Sequence, residues 1–283
     1  MSKVALVTDS VTYLPKEFLD QYTIRVVPEV LIWAGQELRD GIDIQPKEFY
    51  TRLQTARELP TTSQPSPKAV KDVFDKLLVE GYDILGIFLS SKFSGTYSSA
   101  EQAKAMLPNK NIEVIDSLTG SMGAGWPILS AARAAEKGAN LAECKAIAKK
   151  ALDHVGILLM LDTLEFLHRG GRIGGAQRFL GNALNLKPIL EVVEGSFIGL
   201  ERVRTRQKAL KRLVELLVER IGGRVPVHLA VLHANAPELV DQLRDEADAR
   251  VHPVETILAD VSPAVGVHLG PGTVGFAFMA GIE

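Results

Sequence analysis

The residues of this chain that could carry chemistry are mainly hydroxyls, and one dense group is the segment SKFSGTYSSA, from Ser91 to Ala100. It directly follows an apolar run, Ile84 to Leu89, and directly precedes a helix-like run. At such a junction the first backbone N–H groups of the helix are unpaired and carry partial positive charge, so a small anion is favoured. Ser94, Gly95 and Thr96 therefore form a candidate anion cradle, although Ser and Thr at this place can also serve only as helix caps.

Two more hydroxyl-rich loops occupy similar places in the pattern. PTTSQPS, from Pro60 to Ser66, holds Thr62 and Ser63 between two prolines that restrict the backbone. TDS, from Thr8 to Ser10, ends the first apolar run. Each loop alone is compatible with simple helix capping. In a parallel sheet, however, such loops meet at the carboxyl ends of the strands, where ligands usually bind, so together they predict one shared anion site.

The missing phosphate motifs narrow the identity of that anion. The pattern G-x-x-x-x-G-K-[ST] of phosphate-binding loops is absent, and GSMGAGW, which begins at Gly120, gives only a partial dinucleotide-binding pattern. Neutral hydroxyls suit a singly charged carboxylate, which tolerates a dry environment once it has two or three hydrogen-bond donors. The sequence therefore favours a carboxylate over a phosphate.

Nucleophilic catalysis by serine is an alternative that the sequence leaves open. The G-x-S-x-G elbow of α/β-hydrolases is missing, because the residues around Ser94 read FSGTY and those around Ser121 read TGSMG. A Ser-His-Asp triad assembles in space, so spacing alone does not exclude it. The six histidines form no H-E-x-x-H metal signature.

Three single residues also carry functional hypotheses. His268 lies in HLGPG, just before glycines and a proline that make the backbone turn sharply. Arg172 lies in HRGGRIGG, where glycines allow close backbone approach and the guanidinium offers a fork to a carboxylate or to a partner protein. A purely structural role is the competing interpretation for both. Arg204, in ERVRTRQKA, is expected to be exposed to solvent.

The composition is typical of a globular protein without a polyanionic partner. The 283 residues are 46% hydrophobic and 23% charged, with a formal net charge of −2. No basic field favours nucleic acid or an anionic membrane. The single cysteine, Cys144, excludes a disulfide framework and a cysteine-rich metal site. Neither a secretion signal nor a membrane-spanning run is recognised, so we expect a cytoplasmic protein without stable membrane insertion.

The first half of the chain alternates short apolar runs with amphipathic segments. The runs are Val4 to Val7, Ile84 to Leu89 and Ile112 to Ile115, and the segments that follow them are Lys16 to Tyr22, Tyr97 to Leu107 and Trp126 to Lys137. Apolar runs without period-2 polarity are typical of strands covered on both faces, so this pattern predicts a parallel sheet with crossover helices. A helix over Leu141 to Val155 follows, and we place a domain boundary after it, giving residues 1–156 and 157–283.

The second half has a mixed pattern. KPILEVVEGSFIGLERVR, which begins at Lys187, contains two strand-like runs that Gly195 separates as in a hairpin. Further strands are predicted at Leu158 to Leu161, Val227 to Leu232 and Thr273 to Met279, and helices at Gln207 to Arg220 and Pro237 to Ala247. The second domain is therefore expected to be mixed α/β with some antiparallel pairing.

Several motifs of the chain occur together, in the same order, in one known family. They are TDSVTYLP, TTSQPS, SKFSGTYSSA, VIDS from Val114 to Ser117, HRGGRIGGAQ with LKPIL, RVRT and HLGPG. In this order they resemble the DegV family, the fatty-acid-binding proteins that serve as the acyl-carrying subunit of bacterial fatty acid kinase. The resemblance covers essentially the whole chain.

The resemblance implies a two-domain α/β fold with a fatty acid between the domains, its carboxylate at their junction and its tail in an apolar tunnel. Thr62 and Ser94 would hold the carboxylate, and His268 and Arg172 would assist, partly through water. The complete predicted carboxylate site comprises Thr62, Ser63, Ser94, Gly95, Thr96, Arg172 and His268. Arg204 matches a position associated with docking on the kinase partner.

The resemblance also implies that the chain performs no chemistry alone. It would present palmitate, stearate, oleate or a similar long-chain acid to a separate kinase subunit that uses ATP and Mg²⁺, forming an acyl phosphate for phospholipid synthesis. No cofactor is expected besides the bound fatty acid. A stand-alone serine hydrolase or a phosphotransferase of related fold is the alternative. Many members carry Ser and a basic residue after GGRI, whereas this chain has Gly174, Gly175 and Ala176, so the contacts of that loop stay open.

Overall fold

The structure, a computed structural model, describes residues 3–180 and 186–283. The strands, in chain order, are β1 (Lys3–Asp9), β2 (Ile24–Val27), β3 (Val30–Trp33), β4 (Gln36–Arg39), β5 (Thr61–Ser63), β6 (Tyr82–Phe88), β7 (Ile112–Asp116), β8 (Val155–Met160), β9 (Lys187–Val193), β10 (Ser196–Val203), β11 (Val227–His233), β12 (Glu255–Asp260) and β13 (Val274–Ala280). The α-helices are α1 (Lys16–Gln21), α2 (Pro46–Gln54), α3 (Pro67–Val79), α4 (Thr96–Ala105), α5 (Ser121–Glu136), α6 (Leu141–Leu152), α7 (Glu165–Arg169), α8 (Arg206–Ile221), α9 (Pro237–Val251) and α10 (Pro263–Leu269). Short 3₁₀ helices cover Ser10–Thr12 and Gly174–Phe179. None of the helices described here is long and apolar enough to cross a membrane.

The first sheet has four parallel strands in the order β2-β1-β6-β7. Consecutive residues of its central strands, β1 and β6, are buried. Because successive side chains of a strand point to opposite sides of a sheet, both faces of this sheet are covered. In β1, Val7 belongs to the cluster that includes α3 and α4, whereas Leu6 belongs to the larger cluster that includes α5. The predicted parallel sheet with helices on both faces is confirmed.

The second sheet has six strands in the order β10-β9-β8-β13-β11-β12, and its neighbours are antiparallel except for β11 and β12. In β8, Leu158 packs with α8 and α9, and Leu159 packs on the opposite face toward α5. The turn between β9 and β10 places Glu194 and Gly195 at φ angles of 47° and 78°. Such paired positive angles are those of a two-residue hairpin turn, so the predicted hairpin and the mixed pairing are confirmed.

Helix α5 lies between the two larger sheets and is buried from Met122 to Ala132. The indole Nε1 of Trp126 donates to the carbonyl oxygen of Ala277 in β13, at 3.2 Å. A Cβ on Gly123 would lie 2.7 Å from Cδ1 of Ile157 in β8, so glycine is required where this helix approaches the six-stranded sheet. The two sheets thus share one hydrophobic core through this helix.

A third sheet, antiparallel and of order β4-β3-β5, was not predicted. Its strands have only three or four residues, and β4 is mostly exposed, so no alternating pattern marks them in the sequence. In this sheet Thr62 of β5 pairs with Leu31 of β3. The sheet therefore fixes the position of one predicted site residue.

Two helix predictions were wrong in their bounds. The helix predicted over Leu141 to Val155 ends at Leu152, because Val155 already pairs with Met279 in the six-stranded sheet. The helix predicted to begin at Trp126 begins five residues earlier, at Ser121, since its glycines serve close packing and do not interrupt it. The boundary proposed after residue 156 falls within β8 and stays a prediction.

Candidate functional site

A mostly apolar cavity lies between the four-stranded and six-stranded sheets. Its empty space is about 850 Å³, part of which is open to solvent. The apolar lining comes from the six-stranded sheet, from the segments that follow β1 and β6, and from α10 with the residues before it. These side chains are Val11, Leu89, Phe93, Ile157, Leu159, Val192, Phe197, Leu232, Val261, Ala264, Val265 and Leu269.

Four of the predicted carboxylate-binding residues line this cavity together: Thr62, Ser94, Arg172 and His268. Thr62 comes from β5, and its Oγ1 lies 2.9 Å from Nε2 of His268, in the last turn of α10. Burial and the nearby Arg172 guanidinium lower the pKa of His268 to about 4. At neutral pH the imidazole is therefore uncharged and donates from only one of its nitrogens.

Ser94 lies in the loop between β6 and α4, with its backbone N–H bonded to the carbonyl of Ser90. Its Oγ lies 2.8 Å from Oγ1 of Thr96 and accepts a hydrogen bond from the Thr96 N–H at 3.3 Å. Thr96 is fully buried and bonds onward to a carboxyl oxygen of Glu29, at 2.5 Å. Thr96 thus lies behind Ser94 and connects it to a buried acid.

Arg172 is held by two backbone carbonyls at the edge of the cavity. Its Nη1 donates to Gly170 at 2.7 Å, and its Nε donates to Phe93 at 3.1 Å. The ring of Phe93 packs on that of Phe197, with 4.7 Å between the centroids. The guanidinium therefore has a fixed place beside apolar walls and keeps donors that these two bonds do not use.

The remaining predicted residues do not line the cavity. The Ser63 hydroxyl donates to the carbonyl of Gln64 at 3.3 Å, and a Cβ on Gly95 would lie 3.0 Å from the Gln64 side chain. Arg204 is exposed after β10 and has no ion pair with a described residue. The carboxylate-binding roles proposed for Ser63, Gly95 and Thr96, and the docking role of Arg204, stay predictions.

The glycines after Arg172 have a packing role that the sequence did not reveal. Gly174 begins the 3₁₀ helix Gly174–Phe179 with a φ of 50°, and a Cβ there would lie 3.0 Å from the carbonyl oxygen of Phe197 in β10. The glycine at this position lets the loop lie close against the β9-β10 hairpin.

Sequence reasoning missed three polar residues that line the cavity: Glu29, Gln64 and Ser121. Glu29 is 3% exposed, and burial together with the nearby Asp9 raises its pKa well above the usual range. Ser121 begins α5 with a positive φ of 46°, and its Oγ has no hydrogen-bond partner among the described residues. Glu29 was detectable as the one acid within the apolar stretch VVPEVLIW.

Glu29 is part of a buried acidic network that extends away from the cavity. Its backbone N–H donates to Ser10 Oγ at 3.0 Å, and that hydroxyl donates to Asp40 at 2.7 Å. Asp9 accepts from the N–H groups of Val11 and Leu89. Burial raises the pKa of Asp9 to about 6 and that of Asp40 to about 7. Among the described residues none of the three acids has an ion-pair partner, so no nearby positive charge offsets the rise in their pKa values.

The cavity adjoins a surface pocket at each end. Thr62, Arg172 and His268 also line a pocket whose other members include Arg57 and Arg169. At the opposite end Ile157 and Val192 also line a pocket beside β7 and α6. Thr62, Arg172 and His268 therefore lie toward one mouth, and Ile157 and Val192 lie toward the other, whose lining also includes Asp116, Lys149, Asp153 and Glu194.

Comparisons with known proteins identify the family. A family model described as an uncharacterised protein of the DegV family matches residues 3–281. The chain belongs to the DegV family. A DegV domain-containing protein of Listeria innocua is 35% identical over 277 residues, covering 98% of each chain.

Solved DegV family structures share the fold throughout their length. A DegV family protein from Thermus thermophilus, described by its fatty acid binding, is 34% identical with a TM-score of 0.93 and covers 98% of this chain and 99% of its own. DegV of Bacillus subtilis, described as a fatty acid binding protein, is 34% identical with a TM-score of 0.89 and covers 99% and 100%. The two-domain α/β fold implied by the sequence motifs is confirmed for this DegV family chain.

Proposed function

We propose that this DegV family chain binds a long-chain fatty acid, with the carboxylate near Thr62, Ser94, Arg172 and His268 and the tail between the two larger sheets. The convergence of Thr62 and Ser94 on one mostly apolar cavity carries the proposal. The relatives described as fatty acid binding proteins support it. Palmitate, stearate and oleate are the ligands to test first, and no cofactor is required.

The energetics fit a ligand of this kind. Burial of each methylene contributes about 0.8 kcal/mol, so a long tail supplies most of the affinity before ordering costs. The head group then needs only donors that orient it. Thr62, supported by the neutral His268, and Ser94 provide hydrogen bonds without a tight bidentate clamp, so the carboxylate oxygens stay accessible to an electrophile.

We further propose that the chain presents this carboxylate to an ATP-dependent kinase subunit in the cytoplasm. The mouth beside the polar groups supports this step, because Arg57 and Arg169 lie around it together with Arg172 and offer positive charge to an approaching phosphate. Arg204 is the candidate for docking the partner.

The geometry gives no support to a stand-alone serine hydrolase. Such an enzyme needs a serine bonded to a histidine that an acid orients. Here His268 bonds the hydroxyl of Thr62, and its Nδ1 has no hydrogen-bond partner among the described residues. Ser94 bonds Thr96 instead.

Native mass spectrometry of the gently purified chain tests the binding proposal. A retained mass equal to a long-chain fatty acid supports it, whereas an empty chain that neither takes up oleate nor retains lipid contradicts it. The kinase proposal is tested separately by adding ATP, Mg²⁺ and the kinase subunit of the same organism and trapping acyl phosphate with hydroxylamine. Trapped product that forms with this chain alone would support a phosphotransferase instead.

A further inference from the structure

Ser94, Thr96 and Glu29 form a continuous hydrogen-bond chain that runs from the cavity into the protein. Ser94 Oγ and Thr96 Oγ1 are 2.8 Å apart, and Thr96 Oγ1 is 2.5 Å from Glu29 Oε1. Thr96 is fully buried, and Glu29, which also lines the cavity, is 3% exposed. Each hydroxyl has a single hydrogen to donate. The direction in which the hydrogen bonds run therefore depends on whether Glu29 or Ser94 donates to Thr96.

The protonation of Glu29 decides that direction. If Glu29 is ionised it can only accept, so the Thr96 hydrogen is used on Glu29 and the Ser94 hydrogen is used on Thr96. Ser94 then has no hydrogen left for a ligand. If Glu29 carries its proton on Oε1, it can donate to Thr96, the Thr96 hydrogen then points to Ser94, and the Ser94 hydrogen is free to point into the cavity.

The surroundings of Glu29 favour the protonated form. The charges of Asp9 from β1 and Asp40 from the turn after β4 raise the pKa of Glu29, because both oppose a further negative charge. On the cavity side lie Arg172, which bonds two carbonyls, and the neutral His268. A bound fatty-acid carboxylate would add a second negative charge in the same dry space, which strengthens the preference for a neutral Glu29.

We propose that Glu29 is a positioning residue which keeps its proton and, through Thr96, turns the Ser94 hydroxyl toward the fatty-acid carboxylate. This inference rests on the proposed fatty acid binding. No proton leaves Glu29 in the process, since only the orientation of three hydrogens is set. Because an ionised Glu29 both withdraws the Ser94 hydrogen and repels the ligand, affinity for the acid falls as the pH rises through the pKa of Glu29.

The test compares oleate affinity of the full chain and of Glu29→Gln from about pH 6 to about pH 10, with oleyl alcohol as an uncharged ligand of the same tail. Wild-type affinity for oleate is expected to fall about tenfold or more across this range. In Glu29→Gln the amide donates to Thr96 at every pH, so the dependence is expected to shrink to about threefold or less. Oleyl alcohol affinity is expected to stay constant in both proteins.

Variants of Thr96 test the same hydrogen-bond chain while Glu29 stays unchanged. Thr96→Val keeps the side-chain shape but removes the hydroxyl that links Ser94 to Glu29, so oleate affinity at neutral pH is expected to fall about tenfold. Thr96→Ser keeps the hydroxyl and is expected to keep the affinity. Ser98→Ala removes an exposed hydroxyl of the same helix and serves as the control. An unchanged pH profile in Glu29→Gln, or unchanged oleate affinity in Thr96→Val, would overturn the inference. If the wild-type protein binds neither oleate nor oleyl alcohol at any pH, the proposed function itself is refuted.

Discussion

The hydroxyl of Thr62 lies 2.9 Å from Nε2 of His268, although the two residues are 206 positions apart in the chain. The contact joins the small antiparallel sheet to α10 at the polar end of the cavity. Since His268 is neutral, its Nε2–H can donate to Thr62 and leave the Thr62 hydrogen free for a carboxylate. Thr62 and Ser94 then offer one hydroxyl hydrogen each, and both are backed by an uncharged group.

Removal of both hydroxyls should weaken carboxylate binding without unfolding the chain. Each hydrogen bond to a charged group contributes about 1.5–3 kcal/mol, so Thr62→Ala combined with Ser94→Ala should lower oleate affinity by about a hundredfold or more. Isothermal titration calorimetry measures this, and acyl phosphate formation with the kinase subunit should fall in parallel. Ser98→Ala, which removes an exposed hydroxyl outside the cavity, is the control. Oleate affinity in the double variant equal to that of Ser98→Ala would remove both residues from the site.

Val192 should limit the length of the tail. It lines both the cavity and the pocket beside β7 and α6, so Val192→Phe should fill space that the last methylenes occupy. Loss of two buried methylenes corresponds to about 1.6 kcal/mol, or about a fifteenfold preference for a correspondingly shorter acid over stearate. Competition between saturated acids of increasing length, measured by displacement of a fluorescent fatty acid, gives this ratio. Val193→Phe changes the adjacent side chain, which is 40% exposed, and should leave the preference as in wild type. A parallel shift in both variants would contradict the assignment.

Asp40 should make folding stability depend on pH in a predictable direction. Burial raises its pKa from 3.8 to about 7, so the folded state holds this proton more tightly than the unfolded state. The stabilisation is full below the unfolded pKa and is lost as the pH rises through the folded pKa. His268 acts in the opposite sense, because its lowered pKa destabilises the fold as the pH falls from about 6.5 toward 4. The two effects must therefore be separated by a variant.

In the wild-type protein, titration of Asp40 lowers the free energy of unfolding between about pH 5 and about pH 8. In Asp40→Asn this decrease should be smaller by roughly 2–3 kcal/mol. Urea denaturation at both pH values measures this difference. Asp43→Asn, three residues along, is the control, because Arg39 lowers the Asp43 pKa to about 2 and Asp43 stays ionised throughout the range. If Asp40→Asn and Asp43→Asn show the same pH dependence, Asp40 does not titrate in this window.

Gly195 should be more sensitive to substitution than its counterpart in the other hairpin. A Cβ at Gly195 would lie 2.3 Å from Ser90 Oγ, and that hydroxyl donates to the Gly195 carbonyl at 3.1 Å. Gly35 has nearly the same φ, 76°, but nothing lies within 4 Å of its would-be Cβ. We expect Gly35→Ala to cost about 1 kcal/mol and Gly195→Ala about 2–4 kcal/mol, measured by denaturation. Equal losses would show that the contact with Ser90 contributes nothing.

Most strands of the two large sheets could be predicted from the sequence because they are apolar and bounded by turn residues, whereas the edge strands β2 and β12 were not predicted. Ile84 to Leu89 and the hairpin at Gly195 are the clearest cases, and both are confirmed. The third sheet could not be predicted, since strands as short as Thr61–Ser63 carry no periodicity of their own and are held by neighbours that are distant in the chain.

The site was predictable in its hydroxyls but not in the groups that support them. Thr62 and Ser94 lie in loops rich in Ser and Thr, and the family resemblance brought them together. Glu29 was missed because a single acid between two short strands resembles an exposed edge residue, and only the folded chain places Asp9 and Thr96 around it. The beginning of α5 was missed because Gly123 weakens a helix locally, whereas packing against β8 requires that glycine.

The burial of α5 on both sides limits how a lipid can enter and leave. To swing the two sheets apart would expose Trp126 and the helix around it to water, at about 25 cal/mol for every Å² of apolar surface uncovered. Passage of a ligand through either mouth of the cavity leaves α5 buried. Exchange of a guest molecule should therefore proceed by threading through a mouth while the halves of the protein stay together.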